Sequence, residues 1–311
     1  MRMTDIIGQH LFIGISGHSL THEEKDFIVN NNIGGICLFG RNVSSPEQVY
    51  DLCQEIQSLH HNQPSRLPIF IGIDMEGGRV HRLKSPFTQW PALKCLGDID
   101  NPTLTFHFAQ RMGQELRAVG INLDFAPCID VYTNPLNTVI GDRALSSDPE
   151  KVSKHASALV RGYIKADILT CAKHFPGHGN TLIDSHEDLP VEEISFEDLE
   201  NRELVPFKKS FKSKVDMVMT SHIHFPQIDP QWPTTLSPKM IHLIREEYRY
   251  KGLIITDDMG MKAMTKHYGV TEAPIQALLA GVDLLLYCNE PEVPPQVIEG
   301  LLEATAQGRI T

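Results

Sequence analysis

Short apolar runs recur along the chain, and a stretch of helical periodicity follows each. LFIGIS from Leu11, GICLFG from Gly35, LPIFIGID from Leu67, INLDFAPCIDV from Ile121, ILTCAKHF from Ile168, VDMVMTSHI from Val215, GLIITDD from Gly252 and GVDLLLY from Gly281 are short, β-branched and almost wholly apolar. Apolar residues on both faces predict strands of a buried parallel sheet. The intervening segments carry helix start signals. Thr21 with Glu24 forms a capping box, and Ser45-Pro46, Asp148-Pro149 and Ser237-Pro238 each pair a cap with a first-turn proline. TLTFHFAQRMGQELRAV, SFEDLENRELVPFKKSF, TEAPIQALLA and VPPQVIEGLLEATAQ fill the remaining gaps.

About eight strand–helix units without a Gly/Ser linker are what a (β/α)8 TIM barrel requires, so the chain is expected to be an α/β protein with one barrel domain over residues 1–311. A doubly wound open sheet is the alternative. No G-x-G-x-x-G or P-loop follows any strand, which disfavours it.

Composition narrows the partners more than the fold. A net charge of -11 argues against nucleic acid or an anionic membrane, because both are held by clustered Lys and Arg. Asp5 and His10 interrupt any leader-like segment at the N-terminus, and no run reaches the roughly 18 apolar residues of a membrane helix. Cys37, Cys53, Cys95, Cys128, Cys171 and Cys288 include no C-x-x-C pair and fall mostly in apolar segments, as reduced core thiols do. The expectation is a cytoplasmic monomer, without a cofactor, acting on a small molecule.

In a barrel, chemistry gathers where strands end and βα loops begin. IDMEGGR, APCID, KHFPGHG, SHIHF and TDDMGM stand at the ends of strands three to seven, and together they predict one polar pocket. Among these residues His174, His178, Asp184 and His186 are of metal-ligand type. Their H-x3-H and D-x-H spacings match no compact zinc motif, and Pro176, Gly177 and Gly179 break the helix that an i,i+4 His pair uses. Alternatively, Asp184 can accept the N–H of His186, fix its tautomer and keep an imidazolium available as an acid near neutral pH. A plain surface turn remains the third reading of that pair.

Cleaving a glycosidic bond with retention needs such an acid, a carboxylate nucleophile and groups that hold sugar hydroxyls. Asp257 and Asp258 supply carboxylates; Asp74, Arg82, Arg143, Lys173 and His174 supply hydrogen-bonding arms. Strand alternation puts Leu253, Ile255 and Asp257 on one face and Ile254, Thr256 and Asp258 on the other, without saying which face lines the pocket.

IDMEGGRVHRL (73–83), IGDRALSSDP (140–149), AKHFPGHGNTLIDSH (172–186) and LIITDDMGMKAM (253–264) resemble the single-domain β-N-acetylglucosaminidases of glycoside hydrolase family three. The resemblance follows the same order over most of the chain, and KHFPGHG with DSH is its most specific part. It implies a (β/α)8 barrel that removes β-linked N-acetylglucosamine from 1,6-anhydro-N-acetylmuramyl peptides in cell-wall recycling. It also implies Asp257 as nucleophile, His186 as acid/base, Asp184 as its orienting partner, and Asp74, Arg82, Arg143, Lys173 and His174 as sugar-binding residues, with no metal. Met75, Asp142, Ala144-Leu145 and Met259-Gly260-Met261 depart from the family's usual residues, which bears on fine specificity. A phosphorylase and a non-catalytic muropeptide-binding barrel are the alternatives that the same motifs leave open.

Overall fold

The structure, a computed structural model, describes residues 2–185 and 187–310. Eight parallel strands close into a barrel: β1 Leu11–Gly14, β2 Gly35–Leu38, β3 Phe70–Ile73, β4 Leu123–Asp124, β5 Leu169–Phe175, β6 Met217–Thr220, β7 Leu253–Asp258 and β8 Leu284–Tyr287. Each strand pairs with the next in the chain, and β8 returns to β1 with Leu11 opposite Leu285. The expected barrel is therefore present, and the open sheet is not.

The helices start where their caps stand. Thr21 accepts the Glu24 backbone N–H at 3.1 Å while the Glu24 carboxylate accepts the N–H of Thr21 at 2.8 Å, and His22–Asn30 follows. The side chains of Ser45, Asp148 and Ser237 accept first-turn N–H groups at the starts of Pro46–Ser58, Pro149–Lys165 and Pro238–His242, without the reciprocal bond. No helix among the described residues is long and apolar enough to cross a membrane.

Two apolar layers result. Ile36, Ile71, Ile73, Val218 and Ile254 point outward and pack under the helices. Phe12, Cys37, Leu123, Phe125, Cys171, Met217, Met219, Ile255, Leu284 and Leu286 fill the barrel itself. Phe12 stacks on Phe70 with ring centres 5.7 Å apart and meets Phe125 edge-on at 5.9 Å. These rings leave no room opposite them: a Cβ at Gly72 would lie 2.7 Å from the Phe125 ring. All six cysteines are free thiols, five of them buried, and burial alone pushes Cys53 up to about 12.

The fourth strand is shorter than the apolar run 121–131 predicts. Its regular ladder covers only Leu123–Asp124; beyond it the Cys171 N–H donates to the Ala126 carbonyl at 2.9 Å, and an isolated bridge joins Cys128 to Lys173. The chain nevertheless stays alongside β5: Lys173 N–H donates to the Pro127 carbonyl at 3.1 Å, and Ile129 N–H donates to the Lys173 carbonyl at 2.9 Å. This contact carries Asp130 to the end of β5.

Candidate active site

The inward period of the strands determines which polar residues meet. Phe70 and Gly72 face inward on β3, so Asp74 follows them at the strand's end; Leu169 and Cys171 lead to Lys173, and Leu253 and Ile255 lead to Asp257. The alternation question at β7 is thereby answered, since Asp257 belongs to the inward set. Asp258 reaches the same space, because the β7–β8 register shifts between Leu284 and Leu286 and the chain turns there.

Asp74, Arg82, Arg143, Lys173, His174, Asp257 and Asp258 line one cavity of about 240 Å³ at the C-terminal mouth of the barrel, with Phe39, His178 and Ser185 among its other walls. With His178, eight of the residues picked out in the sequence therefore share one space. Asp184 is half-buried in the adjoining loop and does not line this cavity. His186 lies outside the described residues.

A buried ion cluster organises the floor. Lys173 Nζ donates to Asp74 Oδ1 at 2.6 Å and lies 2.7 Å from Glu76 Oε1, while Arg143 grips both Glu76 oxygens at 2.8 and 2.9 Å. Glu76 is 1% exposed, and burial alone would raise its pKa. The Arg143 and Lys173 cations outweigh that and hold the carboxyl well below the usual range. Burial likewise opposes the Lys173 charge, and Asp74 with Glu76 reverses the effect, so its ammonium is held above the ordinary lysine value. Arg82 approaches the other oxygen of Asp74 at 3.5 Å.

A second chain of bonds fixes the histidines. His174 Nδ1 meets Asp130 Oδ2 at 2.7 Å, and its Nε2 lies 3.3 Å from the Arg143 guanidinium. Arginine only donates, so Nε2 accepts and Nδ1 carries the proton toward Asp130. Burial works against the Asp130 charge, but His174 and then His178 lower it to about 2. His178 is held at Nδ1 by Thr181 and at Nε2 by Ser185, and its burial, with the neighbouring His174, lowers it to about 4. Both ring nitrogens of His178 are thus spent on hydrogen bonds. Among the described residues the compact group of ligand-type atoms is Cys128, Asp130 and His174, joined by hydrogen bonds.

Asp257 is half-buried, and the Asp258 N–H donates to its Oδ1 at 2.8 Å. Asp258 accepts from the Gly260 N–H at 2.9 Å and from Asn289 Nδ2 at 2.9 Å. Burial, with the Asp257 charge adding to it, pushes the Asp258 carboxyl up to about 6 against the pull of the Gly260 N–H. The two adjacent acids therefore differ in setting.

Sequence reasoning passed over Glu76 and Asp130. Both stood inside the strand-end clusters IDMEGGR and APCID, which was the available signal. Their partners, Arg143 and His174, lie 67 and 44 residues away, so no local pattern points to the pairing.

The loop after β5 is anchored on both flanks. A Cβ at Gly179 would stand 1.9 Å from the Val131 carbonyl oxygen, a backbone atom that cannot swing aside. On the far side, Lys262 pairs with Glu187 at 3.2 Å, and Lys266 and His267 pair with Asp188 at 3.1 and 2.7 Å. Gly179→Ala is expected to lower stability by about 1–3 kcal/mol, as overpacking does, and to lower turnover more than its fraction unfolded explains. Thermal melts beside initial rates on the same sample check this; full activity at a wild-type melting temperature would contradict it.

Residues 3–311 match the glycosyl hydrolase family 3 N-terminal domain. The chain is 33% identical over 298 residues to a β-hexosaminidase of Nitrosomonas eutropha, covering 94% of this chain and 84% of that one. Among solved structures, a family 3 β-N-acetylglucosaminidase from Paenibacillus superposes over the whole chain with a TM-score of 0.97 at 38% identity, and this chain spans 59% of that protein. NagZ from Neisseria gonorrhoeae, solved in complex with N-trifluoroacetyl-D-glucosamine, is similar at a TM-score of 0.85 and 34% identity, over 94% of this chain and 84% of NagZ.

Proposed function

The chain belongs to glycosyl hydrolase family 3 and is a glycosidase of the β-hexosaminidase type, and from that premise we propose that it is a retaining β-N-acetylglucosaminidase acting on peptidoglycan fragments in the cytoplasm. The substrate in this reading is N-acetylglucosamine β-linked to a 1,6-anhydro-N-acetylmuramyl peptide. The observation that carries it is the single cavity in which Asp257 faces Asp74, Arg82, Arg143, Lys173 and His174. A polyhydroxylated ring needs several charged hydrogen-bonding arms held rigidly, and the Glu76 and Asp130 carboxylates hold Arg143, Lys173 and His174 in fixed directions.

In the first step Asp257 attacks the anomeric carbon, forming an ester bond as the glycosidic C–O bond breaks. His186 gives its proton to the departing oxygen, and Asp184 orients the imidazole and stabilises its charged form. In the second step His186 takes a proton from water, and the resulting hydroxide equivalent displaces Asp257 with a second inversion. Because the proton donor is an imidazole rather than a carboxylic acid, no apolar pocket is needed to keep it protonated near neutral pH.

The test is release of p-nitrophenol from the β-N-acetylglucosaminide and the β-glucoside, with a chelator present throughout. Activity on the first alone is the expected result; activity that vanishes with chelator and returns with zinc would overturn the metal-free mechanism. His186→Ala is expected to cost about 10² to 10⁴ on alkyl and sugar leaving groups and much less on activated aryl ones. Asp184→Asn should show the same leaving-group pattern more mildly. Equal losses on both kinds of substrate, read from kcat/KM, would remove His186 from the acid role.

A further inference from the structure

The strand that carries Asp257 runs on past its neighbour. The β6–β7 ladder pairs Met217 with Leu253 through to Thr220 with Thr256, and β6 ends there. On the other side the β7–β8 register shifts between Leu284 and Leu286. Asp257 and Asp258 therefore stand beyond the last β6 pair, where the ladder to β8 is also irregular. A carboxylate on such an overhang swings with its backbone, whereas attack on a carbon needs the oxygen placed to within about half an ångström.

A side chain from the strand-end cluster SHIHF supplies the bond that the ladder no longer gives. His222 is fully buried, and its Nε2 lies 3.0 Å from the Asp258 carbonyl oxygen; a carbonyl only accepts, so Nε2 carries a proton and donates. The same carbonyl accepts the Met261 N–H at 3.0 Å, which turns the chain after β7. His222 is itself held from behind. Its Nδ1 lies 2.8 Å from the Thr235 hydroxyl, which stands 2.9 Å from the Thr220 hydroxyl and 3.0 Å from the Ser221 carbonyl oxygen. Ser221 is fastened to β5 in turn, since its N–H and its hydroxyl meet the Phe175 carbonyl at 2.8 and 2.9 Å. His222 is not among the walls of the sugar cavity. It reaches the reacting carboxylate through Asp258, whose carbonyl it holds and whose N–H donates to Asp257 Oδ1 at 2.8 Å.

We propose that His222 is a positioning residue for the nucleophile: by clamping the Asp258 carbonyl to the β5–β6 side of the barrel, it aims the Asp257 carboxylate at the anomeric carbon. The inference rests on the role proposed for Asp257 above. A bond that merely held the barrel together would serve equally well anywhere along β7. This one falls on the residue after the nucleophile, where the ladder to β6 has ended.

The experiment measures kcat and KM on p-nitrophenyl and on methyl β-N-acetylglucosaminide, with thermal melts of the same samples. Glutamine carries its amide N–H out to the position of Nε2 and asparagine only to that of Nδ1, so His222→Gln keeps the bond to Asp258 and His222→Asn gives it up. His222→Asn is expected to lose about 10²-fold in kcat, the effect of a misplacement of about 1 Å, with KM within about twofold of wild type. His222→Gln should stay within about tenfold of wild type in kcat. Thr235→Val, which removes the support behind the ring, should lose about tenfold in kcat, and Thr235→Ser should keep the wild-type rate. The losses should be equal on the aryl and the methyl glycoside, because a misplaced nucleophile handicaps both, whereas a weakened proton donor spares the aryl one. A rise in KM at unchanged kcat, a loss confined to the methyl glycoside, equal rates in His222→Asn and His222→Gln, or a loss no larger than the unfolded fraction would overturn the inference. If His222→Asn does not fold, the Thr235 pair decides, and wild-type kcat in Thr235→Val contradicts the clamp. Asp257→Ala measured alongside keeps the two readings apart: an active Asp257→Ala sinks the nucleophile assignment itself, while an inactive one beside a fully active His222→Asn sinks the positioning role only.

Discussion

Asp257→Ala is expected to abolish turnover, with a loss of roughly 10⁴ or more in kcat on every substrate, activated or not. The side chain stands at the inward end of β7, where its Oδ1 is held by the Asp258 N–H. Removing it takes away the atom that forms the covalent bond, so no leaving group, however good, restores the rate. That uniformity distinguishes it from the His186 defect, which an activated aryl group should largely repair. Stability should change little, because Asp257 is half-buried and stands at the open mouth of the pocket. A variant that still turned over p-nitrophenyl β-N-acetylglucosaminide within about a hundredfold of wild type would remove Asp257 from the nucleophile's role.

Glu76→Ala is expected to be the most destabilising single change in the pocket, at about 3–5 kcal/mol by urea unfolding. Glu76 is the carboxylate that engages Arg143, and it shares Lys173 with Asp74. Its loss leaves a buried guanidinium without its carboxylate, which costs more than the pair itself contributes. The pH dependence has a definite sign. Glu76 is depressed in the folded state, so its contribution is fully present above the unfolded value near 4.3 and is lost as pH falls below it. Wild type should therefore lose stability steeply below about pH 4, and Glu76→Gln should flatten that part of the curve. An unchanged acid limb in Glu76→Gln would contradict the cluster's role.

The barrel was legible because each strand is an apolar run bounded by turn or cap residues, and periodicity reads such runs well. Three of the elements that escaped that reading show why. Met3–Gln9 is helical although its seven residues are too few to show a face, and Arg2 with Asp5 secures it from outside the pattern. The hairpin 75–81 is too short for alternation to register. The fourth strand reads as eleven residues, but its regular ladder covers two and pairing resumes only as an isolated bridge at Cys128, since apolar character says nothing of where a ladder is regular.

Within the pocket, what one strand carries was legible and what bridges strands was not. Asp74, Lys173 and Asp257 follow from counting by twos along β3, β5 and β7 once the inward face is known, and only the closed barrel gives that face. Asp258 does not, because a register shift against β8 brings it to the same space. Glu76 and Asp130 are bound to partners on other loops, and only the closed barrel brings those loops together.

Trapping the covalent intermediate tests the central claim most directly. A 5-fluoro-N-acetylglucosaminyl fluoride should accumulate on the enzyme, and peptide mass spectrometry should then find one sugar on the fragment carrying Asp257 and none on that fragment in Asp257→Ala. Turnover of the aryl glycoside with the sugar found on another residue, Asp258 included, or with no adduct at any time, would contradict a double displacement through Asp257.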